Sequence, residues 1–101
     1  MLHMVTYTLK PDCQAEHERL ARAVFDALAQ ARPPGLHYAT LRSADGLRYT
    51  HIVSHEEPDG SNALTALPAF QAFAAGVKDR CAEPPARTEQ VEIGSHGFFE
   101  R

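Results

Sequence analysis

One histidine in the sequence, His51, has neighbours whose residue types suit acid–base or hydrogen-bonding chemistry. It lies between Tyr49 and Val53 on one face of a stretch rich in β-branched and aromatic residues, Leu47 to His55, because alternate residues of a strand share a face. A neutral imidazole there can act as a general base on an acidic phenol or as a hydrogen-bond anchor. The alternative is a structural histidine that packs at a sheet surface with one hydrogen bond. A cavity beside a His51 ring nitrogen without a partner would favour the catalytic interpretation.

Aromatic residues elsewhere in the sequence are the next candidates for ligand contacts. The tyrosines can orient a planar ligand through their rings and hydroxyl groups, although amphipathic residues at sheet faces or a dimer seam fit the same pattern. The phenylalanines of the helical segments have core-facing spacing, and the same residues would line any pocket beneath the helices. The predicted ligand contacts are Tyr7, Tyr38, Tyr49, Phe70 and Phe73.

The sequence predicts no metal site. His51 and His55 share a strand face but lie about 13 Å apart along it, too far to bind one ion together. Cys13 and Cys81 form no CxxC pair, so they do not make a zinc site. His3 is predicted to resemble His51, whereas the remaining histidines are predicted to lie at the surface; these are His17, His37, His55 and His96.

Length and charge restrict the class of protein. The chain has 101 residues and a formal net charge of −3, which predicts one domain over residues 1–101 and argues against nucleic acid as a partner. The N-terminal residues carry no signal-peptide pattern, and no apolar run approaches the roughly 20 residues that cross a bilayer. Two separate cysteines suit a reducing compartment. We therefore expect a cytoplasmic protein without a membrane partner.

The first half of the chain predicts a strand, a helix and a hairpin. Residues Leu2 to Lys10 alternate as a strand, and Asp12 is predicted to cap a helix over Cys13–Arg32. Two prolines and a glycine at 33–35 end this helix. A second strand over Leu36–Arg42 then enters an Asp-Gly turn that leads into the strand of His51.

The second half predicts a helix and a last strand. A short helical turn over Asn62–Leu67 precedes a helix that starts at Pro68 and runs to about Cys81. Its apolar residues recur at helical spacing, namely Phe70, Phe73, Ala74, Val77 and Cys81. Glu83-Pro84-Pro85 is predicted to end this helix, and Arg87–His96 to form the fourth strand.

The resulting order, βαββαβ, is the ferredoxin-like α+β arrangement: a four-stranded antiparallel sheet with two helices on one face. The other face is predicted to display Tyr, His, Val and Ile side chains, too apolar an area to face water. We therefore expect a homodimer whose subunits meet through their sheet faces.

This pattern resembles the dimeric α+β barrel superfamily, which includes antibiotic biosynthesis monooxygenases and stress-responsive barrel proteins. The resemblance covers nearly the whole chain. It depends on the element order, the Pro-Pro-Gly after the first helix, the hairpin into Tyr49–Val53 and the segment Leu67–Phe73. It implies a pocket in each subunit between sheet and helices.

The resemblance also implies a role for Asn62. Some cofactor-free monooxygenases of this superfamily use an asparagine and a tryptophan to hold an aromatic substrate anion that reacts directly with oxygen. This sequence has no tryptophan, which departs from that set, and Asn62 can instead cap the short helical turn. The related haem-degrading enzymes bind iron through a histidine on the second helix. No histidine lies between Asn62 and Cys81, so haem degradation is disfavoured.

Two functions follow as hypotheses. The first is a cofactor-independent monooxygenase-like protein that binds a small aromatic or polyketide-like compound, with His51 and Asn62 as catalytic residues and no cofactor. The second is a non-catalytic dimeric barrel protein that binds a ligand or is associated with stress.

Overall fold

The computed structural model describes residues 2–56 and 63–98. Its strands and helices follow the order β1 (Leu2–Leu9), α1 (Gln14–Ala31), β2 (Leu36–Arg42), β3 (Arg48–His55), α2 (Ala63–Ala66), α3 (Pro68–Ala75), α4 (Val77–Arg80) and β4 (Cys81–Gln90). The strands form one antiparallel sheet in the order β2-β3-β1-β4. This is the predicted ferredoxin-like α+β fold.

The strand of His51 is a central strand, as its composition predicted. β3 pairs with β1 on one side and with β2 on the other. Its side chains alternate between buried and half-buried, and Tyr49, His51 and Val53 are buried beneath the helices. The paired face of β1 buries His3 and Tyr7 beside them. The helix-covered face of the sheet is therefore unusually rich in polar aromatic side chains.

This arrangement corrects the prediction for the opposite face. The Tyr, His and Val side chains predicted there lie under the helices, because Tyr49, His51 and Val53 all have the inward parity of β3. The open face instead carries the half-buried Ile52 and the residues of β1 with the same parity, Leu2 and Met4. The apolar residues of this face are aliphatic rather than aromatic, and they share it with polar residues such as Thr6, Thr50 and Ser54.

α1 forms where predicted, with a different start. Pro11–Cys13 make a 3-10 turn, the helix begins at Gln14, and Asp12 makes no capping hydrogen bond. The helix ends at Ala31, and its C-cap residue, Arg32, has a left-handed backbone (φ 44°), a conformation that helix C-termini adopt before a chain reversal. α1 buries Ala21 and Val24 against the sheet and α3.

The second helix and the last strand differ from the prediction. The helix is interrupted at Gly76, and Cys81 is the first residue of β4 rather than the last of a helical stripe. Pro84 and Pro85 lie within β4 and do not terminate a helix. β4 is an edge strand of the sheet, where a proline that cannot donate a ladder hydrogen bond is tolerated. The predicted strand over Arg87–His96 was therefore placed several residues too late.

After β4 the chain leaves the sheet with apolar residues exposed. Val91 is 89% exposed and Ile93 is fully exposed, so neither packs on the core. Within the described residues, no helix is long and apolar enough to span a membrane.

Candidate active site

His51 occupies the centre of a hydrogen-bond chain beneath the helices. Its Nε2 lies 2.6 Å from the hydroxyl of Tyr7, and its Nδ1 lies 2.6 Å from the hydroxyl of Tyr38 and 3.0 Å from that of Thr40. β1, β2 and β3 place these groups together, because Thr40 pairs with His51 and His51 pairs with Val5 across the sheet. Both ring nitrogens of His51 are therefore engaged, which favours a role as an anchor over a role as a free base.

The chain continues from Tyr7 into the helices. The Tyr7 hydroxyl also lies 2.6 Å from Nε2 of His17, a fully buried residue of α1. On the far side of this ring, Nε of Arg80 donates to His17 Nδ1 at 2.9 Å. Arg80 is itself buried, donates to the Phe73 carbonyl at 2.6 Å and stacks over the Phe73 ring. One polar chain thus connects α4, α1 and three strands.

The chemistry of Arg80 fixes the direction of this chain. A guanidinium can only donate, so His17 Nδ1 accepts and His17 carries its proton on Nε2, which donates to Tyr7. The Tyr7 hydroxyl can then donate to His51 Nε2, and His51 Nδ1–H donates to Tyr38 and Thr40. In this order of donors, each proton from Arg80 Nε to His51 Nδ1 has an acceptor. The hydroxyl proton of Tyr38 then has two acceptors within reach, the Thr40 hydroxyl, with which Tyr38 also hydrogen-bonds, and a ligand oxygen in the cavity.

Burial keeps the chain uncharged except at Arg80. Desolvation, with the Arg80 charge acting in the same direction, lowers the pKa of His17 to about 4. Desolvation, reinforced by His17, lowers the pKa of His51 to about 4. Desolvation also raises the pKa of Tyr38 to about 12 and that of Tyr7 well above its ordinary value. At neutral pH the hydrogen-bond chain therefore begins at one buried cation, Arg80, and all its other members are neutral.

A cavity of about 250 Å³ lies between the sheet and the helices and touches this chain. Five predicted site residues line it: Tyr7, Tyr38, His51, Phe70 and Phe73. The remainder of its wall is mostly apolar and includes Val53, Leu64 and Val77. A mostly apolar pocket with a few convergent polar groups is the usual form of a small-molecule site.

One predicted residue lies elsewhere. Tyr49 is buried and stacks on Tyr7 at 5.7 Å between ring centroids, but it lines a separate depression beside α1 rather than this cavity. Tyr49 packs against Tyr7, which lines the cavity. Its contact with a ligand stays a prediction. Asn62 lies outside the described residues.

Sequence reasoning missed three members of the hydrogen-bond chain: Thr40, His17 and Arg80. His17 was predicted at the surface, and it is fully buried. A signal for it existed, since His17 precedes Ala21 by four residues and Val24 by seven and so continues the apolar stripe of α1. His55 was likewise predicted at the surface and is buried, whereas His37 and His96 are exposed as predicted.

His3 was predicted to resemble His51, and it is also buried in the cavity wall. Among the described residues, no cluster of three or more His, Cys, Asp or Glu side chains is arranged to hold a metal ion.

Solved structures share this fold over nearly the whole chain. A "putative antibiotic biosynthesis monooxygenase" from Nitrosomonas europaea is 19% identical, with a TM-score of 0.72 over 91% of this chain and 88% of its own. Proteins of the same name from Caulobacter crescentus and Bordetella bronchiseptica are 22% and 23% identical, with TM-scores of 0.67 and 0.63. They cover 90% and 91% of this chain, and the alignments span 89% and 95% of those proteins. No protein-family model and no curated protein matches the sequence.

The fold and the cavity together define a class: a ferredoxin-like α+β protein with a ligand-sized cavity between sheet and helices. The structural neighbours carry the antibiotic biosynthesis monooxygenase name. The resemblance stated from the sequence pointed to the same group of proteins.

Proposed function

We propose that this protein is a cofactor-independent monooxygenase-like enzyme that binds a small aromatic or polyketide-like compound in the cavity. The observation that carries the proposal is the Tyr38 hydroxyl, which ends a hydrogen-bond chain of fixed direction at the wall of an apolar cavity. A buried donor aimed at a ligand oxygen stabilises negative charge on that oxygen far more than water-exposed groups do. The site is therefore suited to an acidic phenol or enol bound as its anion.

The chemistry requires no group beyond the substrate anion and oxygen. An electron-rich ring carbon of the anion forms a bond to molecular oxygen and gives a peroxide, which takes up a proton. Loss of water then converts a ring methylene into a carbonyl, with one oxygen atom retained and the other released in the water. In this scheme Tyr38 donates to the ligand oxygen, His51 orients Tyr38, and the rings of Phe70 and Phe73 contact the substrate.

The test removes one hydroxyl group at a time. We expect Tyr38→Phe to lower oxygen uptake with a panel of anthrones and hydroxyquinones by about 100-fold, the usual effect of deleting an oxyanion donor. The rest of the chain survives, because Thr40 still accepts from His51. Tyr49→Phe is the matched control, since it removes a buried tyrosine hydroxyl on the same sheet face outside the cavity. Equal rates for the two variants would exclude Tyr38 as the anchor.

One observation favours the second function, a non-catalytic ligand-binding protein. Both ring nitrogens of His51 already have partners, so this residue offers no free base to a substrate. Binding of these compounds without oxygen uptake by the unmodified protein would establish this alternative over the enzyme.

We also propose a cytoplasmic homodimer in which the open sheet faces meet. Leu2, Met4 and Ile52 lie on this face, with Leu41 beside them 40% exposed, and a stable interface there would bury about 800 Å² per partner. The two cysteines are unpaired, which fits a reducing compartment.

A buried charge at this interface should separate the subunits. We expect Ile52→Glu to convert a dimer at micromolar concentration into a monomer, as measured by light scattering, because an unpaired carboxylate cannot be buried cheaply. Ala72→Glu, on the exposed face of α3, adds the same charge away from the sheet and should leave the mass unchanged. A monomeric unmodified protein would refute the dimer.

A further inference from the structure

The cavity has a second polar wall that the proposed chemistry does not use. His3 lines it from β1, is 8% exposed, and its Nδ1 has no hydrogen-bond partner among the described residues. Burial lowers the pKa of His3, and the positive charge of Arg87 acts in the same direction, so the ring is neutral at pH 7. A buried polar nitrogen without a partner destabilises the folded protein. Less than 1 Å² of this nitrogen is accessible, so a ligand group reaches it when the His3 ring turns toward the cavity, and the contact would then give the nitrogen its missing partner.

Arg87 lines the same part of the cavity from β4. Its side chain is 55% exposed and engages Glu89 at 3.2 Å, where Glu89 is 61% exposed. An ion pair this exposed contributes little, so Arg87 can exchange it for a better partner at small cost. A guanidinium binds a carboxylate through two parallel hydrogen bonds.

The sheet register sets the distance between the two polar walls. His51 pairs with Val5, and Val5 pairs with Arg87, so these residues lie in one row across three strands. Two strand spacings, about 10 Å, separate the Cα atoms of His51 and Arg87, and the Tyr38 hydroxyl that anchors the ligand lies 2.6 Å from His51 Nδ1. Val5 lies between them and also lines the cavity, so an apolar segment joins two polar ends.

We propose that His3 and Arg87 bind a carboxylate of the ligand, so that the ligand is an aromatic hydroxy acid with its acidic groups at opposite ends of fused rings. This inference rests on the proposed function, because it takes Tyr38 as the anchor of the hydroxyl end. Arg87 supplies the charge, and the Nδ1–H tautomer of His3 donates to the same carboxylate. Glu89 pairs with His3 across the sheet. Its carboxylate repels the carboxylate of the ligand, and its ion pair with Arg87 must break before Arg87 binds the ligand.

The test compares two fluorescent probes by titration. One is a hydroxynaphthoate with its hydroxyl and carboxylate at opposite ends of the rings, and the other is the naphthol that lacks the carboxylate. We expect the hydroxynaphthoate to bind at least about tenfold more tightly, since a hydrogen bond to a charged group, which the naphthol cannot form here, contributes at least this factor. On binding, nitrogen NMR should show a shift of His3 Nδ1 with the hydroxynaphthoate and none with the naphthol. His3→Gln identifies the His3 signals.

Two neighbouring variants should act in opposite directions. Arg87→Gln should remove the preference for the hydroxynaphthoate, and Glu89→Gln should increase it, while neither changes naphthol binding. Arg19→Gln controls for net charge, because Arg19 is an exposed residue of α1 that pairs only with Glu16 among the described residues. It should leave both affinities unchanged.

The outcomes separate this inference from the proposed function. Equal affinities for the two probes, or a loss of hydroxynaphthoate binding as large in Arg19→Gln as in Arg87→Gln, would overturn the carboxylate site and leave the aromatic cavity standing. Failure of both probes to bind would overturn the aromatic cavity and the carboxylate site together. Tighter hydroxynaphthoate binding that depends on Arg87 and moves the His3 Nδ1 signal supports the inference.

Discussion

Lowering the pH from about 7.5 to 5 should destabilise the folded protein by about 4 kcal/mol, through His17 and His51 alone. Both residues have a pKa of about 4 in the folded state, against about 6.5 in an unfolded chain. Between these values the unfolded state binds more protons, so stability rises with pH. The stability that these two histidines contribute is fully present above about pH 6.5 and is lost as the pH falls toward 4. Each histidine contributes about 2 kcal/mol of the loss at pH 5.

The structure gives a direct reason for the sign. A proton on Nδ1 of His17 would face the N–H of Arg80, which donates to that atom, so protonation replaces a hydrogen bond by two opposed donors. His3 adds to the effect, because its pKa is also lowered in the folded state. Glu18 and Asp45 have lowered pKa values as well, but carboxylates lose stability at a lower pH than the histidines.

Urea unfolding at fixed protein concentration, followed by circular dichroism, measures this effect. His17→Gln should halve the loss between pH 7.5 and 5, because glutamine keeps an acceptor for Arg80 and a donor for Tyr7 without a group that titrates. His37→Gln removes an exposed histidine and should keep the full loss. Parallel pH curves for the unmodified protein and His17→Gln would contradict the assignment.

The sequence predicted the architecture because its strongest local signals agree with the tertiary structure. The alternation in β1 and β3, the stop at Pro33-Pro34-Gly35 and the Asp-Gly turn all have a local physical cause. β2 has its predicted bounds, Leu36–Arg42. The parity of β3 also grouped Tyr49, His51 and Val53 correctly. Which side the helices would cover depends on packing across the chain, and there the prediction failed.

The predicted end of the second helix was wrong for a different reason. The spacing from Phe73 through Val77 to Cys81 fits a continuous helix, but Gly76 interrupts it and Cys81 enters an edge strand. At Gly76 a Cβ atom would lie 2.8 Å from Nη1 of Arg80. Gly76 and Arg80 are only four residues apart, but the inward position of the Arg80 side chain depends on its hydrogen bonds to His17 and Phe73, and the local pattern does not show these.

The residues at the centre of the candidate site could be predicted from the sequence, whereas those that extend it into the helices could not. His51, Tyr7 and Tyr38 were named from residue type and strand position, and they do meet. Their connection to His17 and Arg80 comes from two helices that pack over the sheet, and a charged residue near the end of a helix is ordinarily exposed. Arg80 follows Phe73 by seven residues, a spacing that places two residues on one face of a continuous helix, and this was a local sign that Arg80 is buried.

Replacing Arg80 by methionine should destabilise the protein by about 3 kcal/mol at pH 7.5, because it leaves His17 Nδ1 and the Phe73 carbonyl without their donor in the interior. Methionine keeps the volume of the side chain and a favourable contact with the Phe73 ring, so the loss reports hydrogen bonding rather than a cavity. Lys78→Met is the matched control on the same short helix. Lys78 is exposed, and this change should stay within about 0.5 kcal/mol.

The Arg80 variant also tests whether this residue orders the whole chain. With the guanidinium gone, Nδ1 of His17 is free to carry the proton, and nitrogen NMR should show both neutral tautomers where the unmodified protein shows the Nε2–H form alone. The pKa of His17 should rise toward its ordinary value, since the Arg80 charge that lowers it is removed. A variant as stable as Lys78→Met that keeps a single His17 tautomer would show that Tyr7, not Arg80, sets the direction of the chain. The hydrogen bonds among the sheet residues Tyr7, His51 and Tyr38 would then set the direction of the Tyr38 hydroxyl without help from Arg80.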